Sequence, residues 1–238
     1  MKALFYFYIK LYTMNIKITA FFCLLTTILM AQTPIEKTVG EFKELKVYDL
    51  IEVELIKSDV DKVVVSGNYA EDVVFINRNG KLKVRMTLDK VFKGDETTVK
   101  VYYTSIDIID VNEGAFVASN DTIKQFELDL NAQEGGEIKV NTEVRFLNID
   151  ANTGGIVRTS GTATNQDIAI STGGVVKNKE LQTENTKIII RAAGDAHVVA
   201  TKLFEAKIRA GGNIFVYGKP ETIDENKVFG GHITYIEE

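Results

Sequence analysis

From Ser105 to the C-terminus, apolar residues recur at fixed distances from a glycine-centred bend. One full copy reads Asp150-Ala151-Asn152-Thr153-Gly154-Gly155-Ile156-Val157-Arg158-Thr159. Anchoring each copy on its first glycine-like position gives Gly114, Gly135, Gly154, Gly173, Ala193, Gly211 and Gly230, with Gly194 as the glycine of the copy in which Ala193 stands. The spacings are 21, 19, 19, 20, 18 and 19 residues, at the short end of solenoid repeats. Five residues before the anchors stand Ile109, Leu130, Ile149, Ile168, Ile188 and Ala206. Three before stand Val111, Ala132, Ala151, Ile170, Ile190 and Ile208, and three after stand Val117, Ile138, Val157, Val176, Ala196, Ile214 and Ile233. Apolar positions two apart on each side of a bend describe two short strands meeting at a tight turn. Glycine there supplies a positive φ or lets another backbone approach closely. Stacked copies give each apolar position a like neighbour above and below. The pattern therefore predicts an all-β, parallel β-helix-like solenoid of about seven coils.

Ahead of the repeats the period is two. Phe42 to Val47, Ile51 to Ile56, Lys62 to Ser66, Val73 to Ile76, Lys81 to Thr87 and Thr97 to Tyr103 read as strands. Asn77-Arg78-Asn79-Gly80 predicts a hairpin, because Asn-Gly accepts the positive φ of a tight turn. Lys93-Gly94-Asp95-Glu96 predicts a second turn, and Glu71-Asp72 at most a single helical turn. These strands are expected to form an irregular, mostly antiparallel region that caps the first coil, since a bare coil exposes strand edges.

Residues 1–31 read as an export signal: Lys17, an apolar run from Ile18 to Met30, then Ala31 before Gln32. The run is shorter than the roughly 20 residues of a spanning helix, so no stable membrane span is expected in the mature chain. Met14 offers an alternative start, because the segment from it is a complete signal on its own. The chain thus divides into a leader at 1–31, an N-terminal β region at 32–104 and a Gly-Gly-repeat solenoid at 105–238. No sorting module is expected after the last copy, which runs out at Glu237-Glu238.

Composition narrows the chemistry. The leader holds three lysines and no acid, so of 28 basic and 33 acidic residues, 25 and 33 remain after Ala31. That excess of acid argues against nucleic-acid binding. Cys23 is the only cysteine and lies in the leader, so the mature chain has no disulfide, thiol nucleophile or cysteine metal site. Phe22 stands where a lipobox needs a small residue, which argues against lipidation at Cys23.

Catalytic sets are sparse. Asp110, Asn131 and Asp150, four before their anchors, predict an outward polar ladder, and Glu113 and Glu134 a shorter one. A polysaccharide lyase or hydrolase built on Asp110 and Asp150 is the enzymatic alternative, since paired carboxylates cleave glycosidic bonds. The ladder stops at Ala169 and its middle rung is Asn, so it reads as a solvated stripe. His197 and His232 lie in different coils with no third ligand in view, so no metal or cofactor is expected. Arg191 and Arg209 suggest a small anion-binding step, and Tyr102, Tyr103, Phe215, Tyr217 and Tyr235 an aromatic platform. No nucleophile elbow or phosphate loop is present.

The repeated Gly-Gly-x-Ile element, the export signal, the opening Phe42-x-x-Leu45-x-Val47 strand and the closing Tyr217-Gly218-Lys219-Pro220 with Gly230-Gly231-His232-Ile233 together resemble the putative auto-transporter adhesin head GIN domain family of Bacteroidetes. The likeness covers roughly residues 38–236, with Thr-Gly-Gly or Ala-Gly-Gly in place of the family's common Gly-Ser-Gly. The resemblance implies a β-helix-like fold, a place outside the cytoplasm (periplasm, outer-membrane surface or secreted) and an adhesive role, and it supplies no catalytic residues. The expected function is a non-enzymatic adhesin-like interaction module of the cell envelope. Glycans or surface proteins are the expected partners, with self-association through sheet faces or ends as a further one. A periplasmic accessory or sensing protein is the remaining alternative.

Overall fold

The computed structural model describes residues 34–236, which lie within a single compact unit. The export signal, Cys23 and Met14 lie outside the described residues. Among the described residues, seventeen strands form one continuous hydrogen-bonded sheet wound into a solenoid. Its regular coils come from four long bent strands, β9 (Phe116–Ala132), β10 (Glu137–Asn152), β11 (Ile156–Ser171) and β12 (Val175–Ile190), paired parallel in series. Five shorter strands continue the stack: β13 (Asp195–Val199), β14 (Leu203–Ala210), β15 (Asn213–Tyr217), β16 (Thr222–Phe229) and β17 (His232–Ile236).

The repeat turn explains the glycine pair. Asn152-Thr153-Gly154-Gly155 closes with the Gly155 amide donating to the Asn152 carbonyl at 2.8 Å. Thr153 (φ 48°) and Gly154 (φ 74°) both lie in the left-handed region, as in a type I′ turn. Gly155 serves differently: a Cβ there would run into the Ala132 carbonyl of the coil below. The turns also stack on one another, Gly135 N donating to Thr153 O and Gly154 N to Thr172 O, each at 3.1 Å.

The core is a set of in-register columns. Ile109, Leu130, Ile149, Ile168, Ile188 and Ala206 each pair with the next in the series, and all are buried. Polar side chains enter this interior where the register slips between β11 and β12. Asn178 Oδ1 accepts the Thr159 amide at 3.0 Å, its Nδ2 donates to Gln166 Oε1 at 2.6 Å, and Gln166 Nε2 donates to Thr186 Oγ1 at 3.2 Å. Asn178 thus supplies an acceptor that the slipped backbone does not. Replacing it by Leu leaves the Thr159 amide and the Gln166 carboxamide oxygen unpaired inside the core, which costs about 1–3 kcal/mol for each orphaned group. Denaturant unfolding of Asn178→Leu should show that loss, and a midpoint equal to the parent's would remove the role.

The irregular antiparallel region expected ahead of the repeats is present. β1 (Ile35–Thr38) pairs with β4 (Lys62–Gly67), β4 with β7 (Thr97–Tyr103), and β5 (Val73–Arg78) with β6 (Lys81–Met86), all antiparallel. Asn79 and Gly80 make the predicted hairpin with φ of 54° and 75°. The same region also contributes parallel coils. β2 (Glu44–Val47) lies between β6 and β8 (Ile108–Val111), and β3 (Glu52–Lys57) lies between β7 and the start of β9. The chain lays down β2–β3, adds β6–β7 on its outer side, then returns to β8–β9 on the inner side. β4 and β5 pair along the outer coil and seal that end.

The opposite end is open among the described residues. β16 is exposed along its whole length, yet its register puts Glu225 beneath buried Ala206 and Lys227 beneath buried Ile208. Tyr235 donates its hydroxyl to Glu225 at 2.7 Å, and Lys227 stands 3.7 Å from the same carboxyl group. Inward-pointing charge is a known means of blunting a sheet edge. The double variant Glu225→Val/Lys227→Val should therefore associate with rising concentration in light scattering. Unchanged hydrodynamic mass would show that these charges guard nothing.

Candidate functional site

The polar ladder read from the sequence is in register. Asp110 pairs with Asn131, and Asn131 with Asp150. It extends one rung further, to Lys46 on β2. Lys46 Nζ bonds Asp110 Oδ2, while Asn112 Nδ2 donates to Asp110 Oδ1 at 2.8 Å. Burial works against the Lys46 ammonium, but the hydrogen bond and charge of Asp110 outweigh it and hold the group above the ordinary lysine range. Asp110 is itself buried, with both carboxylate oxygens occupied. This is the setting of a structural ion pair, not of a proton donor to a sugar. Glu113 and Glu134 sit at the first left-handed positions of their turns. Burial, then Asp49, pushes the Glu113 carboxyl up.

A second outward column lies four residues after the anchors, on the face beyond the turn. Lys139 pairs with Arg158, Arg158 with Lys177, Lys177 with His197, and His197 with Phe215. The His197 and Phe215 rings stack with centroids 4.6 Å apart and planes 16° from parallel. Tyr217 closes the cluster through its hydroxyl, 3.0 Å from His197 Nδ1. Burial, then Lys177, pulls the His197 imidazole below its ordinary value, with Asp195 opposing and Lys179 adding. This column borders a groove of about 590 Å³ whose floor includes Val140 and Thr159. Arg158 Nε donates to Glu137 at 2.7 Å, whereas Lys139, Lys177 and Lys179 have no ion-pair partner among the described residues.

The anchors themselves fall at one level of the coil. The residues two beyond them, Phe116, Glu137, Ile156, Val175, Asp195, Asn213 and His232, pair in series. By this register Ala193 holds the anchor position, and Gly194 is the residue after it. The family described as putative auto-transporter adhesin, head GIN domain, matches residues 41–220. The chain belongs to that family.

Solved structures share the GIN-domain fold at low identity. A putative adhesin from Bacteroides fragilis NCTC 9343 matches with a TM-score of 0.79 and 18% identity, covering 85% of this chain and 96% of that one. A putative adhesin from Parabacteroides distasonis ATCC 8503 matches at 0.69 and 20%, covering 86% and 96%. A protein called a putative lipid binding protein, from the same Parabacteroides strain, matches at 0.66 and 17%, covering 86% and 97%. No curated protein matches the chain.

Within this GIN-domain chain the aromatic platform is split. Tyr217 lines the groove and Phe215 stacks on His197 beside it, Tyr235 caps the open end, and Tyr103 is buried, while Lys62 lies 5.0 Å over the Tyr102 ring at the other end. Arg191 and Arg209 are exposed just beyond the paired Ile190 and Ile208. Among the described residues there is no group of three or more potential metal ligands, and no helix is long and apolar enough to cross a membrane. The column of Lys139, Arg158, Lys177 and His197 escaped the sequence reading. The offset-four frame that exposed Asp110, Asn131 and Asp150 would have found it on the other side of the anchor.

Proposed function

We propose that this GIN-domain protein is an exported, non-enzymatic interaction module of the cell envelope that engages glycans or surface proteins through the groove beyond the repeat turn. The observation that carries this reading is the cationic and aromatic column from Lys139 to Phe215, an outward feature that borders a groove and offers a partner both charge and flat rings. Family membership and the adhesin names of its structural neighbours support it. The closed coordination of Asp110 weighs against the polysaccharide lyase or hydrolase alternative.

Protease added to intact cells should digest the protein while a periplasmic marker survives. Protection until the outer membrane is opened would overturn the surface reading and favour a periplasmic accessory.

A further inference from the structure

We infer that the groove beyond the repeat turn binds a linear acidic polysaccharide laid along the solenoid axis, its anionic groups on Lys139, Arg158, Lys177 and Lys179 and one sugar ring on the Phe215–His197 stack. The inference rests on the interaction-module reading above and names its ligand class.

The first support is a contrast between ladders. Several outward lysines elsewhere face an acid on the next strand: Lys81 beside Glu44, Lys100 beside Glu54, Lys124 beside Glu143 and Lys187 beside Glu205. Lys139, Arg158 and Lys177 instead oppose one another directly. Like charges on directly opposite strands repel, so this arrangement works against folding. Glu137 relieves the Arg158 rung alone. A chain with an excess of acid has thus collected unrelieved cations in one groove, and an arriving anion removes the repulsion.

The second support is geometry. Strands in a sheet lie about 4.8 Å apart, so the column from Lys139 to Phe215 extends for about 19 Å. That is the footprint of several linked residues of a chain with repeated negative charge, not of one small anion. At its far end the charges give way to stacked rings, His197 on Phe215. Each ring covers a face of the other, so the stack offers a sugar its outer C–H surface, and the bond to Tyr217 holds the imidazole in place. Glu180, Asn141 and Ser160 line the groove and supply acceptors for sugar hydroxyls.

The test uses residues 32–238, which hold the whole compact unit from Pro34 onward. Binding is measured to polygalacturonate, with heparin as a sulfated acidic chain, dextran as a neutral chain, single-stranded DNA, and phosphatidylglycerol vesicles. Polygalacturonate or heparin should bind with an affinity that falls as salt rises. The triple variant Lys139→Gln/Lys177→Gln/Lys179→Gln should bind at least tenfold more weakly at a melting temperature equal to or above the parent's, since it also relieves the repulsion. Phe215→Ala should weaken binding several-fold, and Lys207→Gln, on the other face, should not. Equal binding of dextran, an unaffected triple variant, or tighter binding of DNA or vesicles would overturn the inference. Beads coated with each protein are tested in parallel for attachment to cells. Attachment that the triple variant retains would sink the ligand class and leave the interaction module standing. Beads that attach to nothing, beside retained polygalacturonate binding, would sink only the adhesive role.

Discussion

Ile168→Asp is expected to abolish cooperative folding of the solenoid or lower its stability by about 4 kcal/mol or more, the range reached when an unpaired charge enters a core. Ile168 is 3% exposed, between Ile149 and Ile188 in an apolar column. A carboxylate there meets aliphatic side chains from the strands on both sides. The polar groups two residues away on the same strand offer no rescue, because Gln166 already accepts from Asn178 and donates to Thr186. Because each coil holds only its neighbours, failure at one rung also removes the support of the next. Asp167→Ala, on the exposed side of the same strand, serves as the control and should stay within about 0.5 kcal/mol of the parent. Thermal unfolding followed by circular dichroism gives both values. Parent-like melting of Ile168→Asp would mean that the column does not face the core.

The coils legible in the sequence were those whose turns need glycine. A type I′ turn requires positive φ at two adjacent positions, and the repeats meet this with Gly114, Gly135, Gly154 and Gly173. The coil formed by β2 and β3 uses the same turn without any glycine. Asp49 and Leu50 both have φ of 62°, and the Ile51 amide donates to the Tyr48 carbonyl at 3.3 Å. Around Leu50 the apolar frame is nonetheless intact: Leu45 five before, Val47 three before and Val53 three after, all buried. A search keyed on glycine passes over this coil, although its hydrophobic columns match the repeats. Asp49 compensates locally by accepting the Met86 amide at 3.0 Å from the neighbouring coil. The order of coils was not legible either. Which strand lies beside which is decided by edges left unpaired after β3, and that information is spread over residues far apart in the chain. The site was half visible: the ladder of Asp110, Asn131 and Asp150 came from counting four residues back, while the cations lay four residues forward. Nothing in composition pointed there, because an excess of acid over the whole chain conceals a small cluster of base.

Gly155→Ala should cost about 3 kcal/mol, at the upper end of the range for overpacking, while Gly154→Ala should cost about 1–2 kcal/mol, the penalty for placing a Cβ in the left-handed region. The two glycines are adjacent and look equivalent in the sequence, but they answer different constraints. Gly154 has φ of 74° and open space where a Cβ would go, so alanine suffers only backbone strain. Gly155 has no positive φ, and a Cβ there is driven into the carbonyl of Ala132 and towards the amide of Gln133. Relief requires the coils to separate. That stretches the bond from the Ile156 amide to the Gly136 carbonyl, now 2.9 Å, and the stacked turns beside it. The Gly114 copy shows where the constraint begins. There Ala115 fills the equivalent slot, fully buried, and the coil beneath it is the one whose turn carries Leu50 instead of glycine. Gly136, Gly155 and Gly174, each above a repeat turn, all face a carbonyl three residues before the lower anchor. Denaturant midpoints for the two single variants decide the matter. Equal losses, or a larger loss at Gly154, would show that backbone conformation and not coil-to-coil approach sets the second glycine of the repeat.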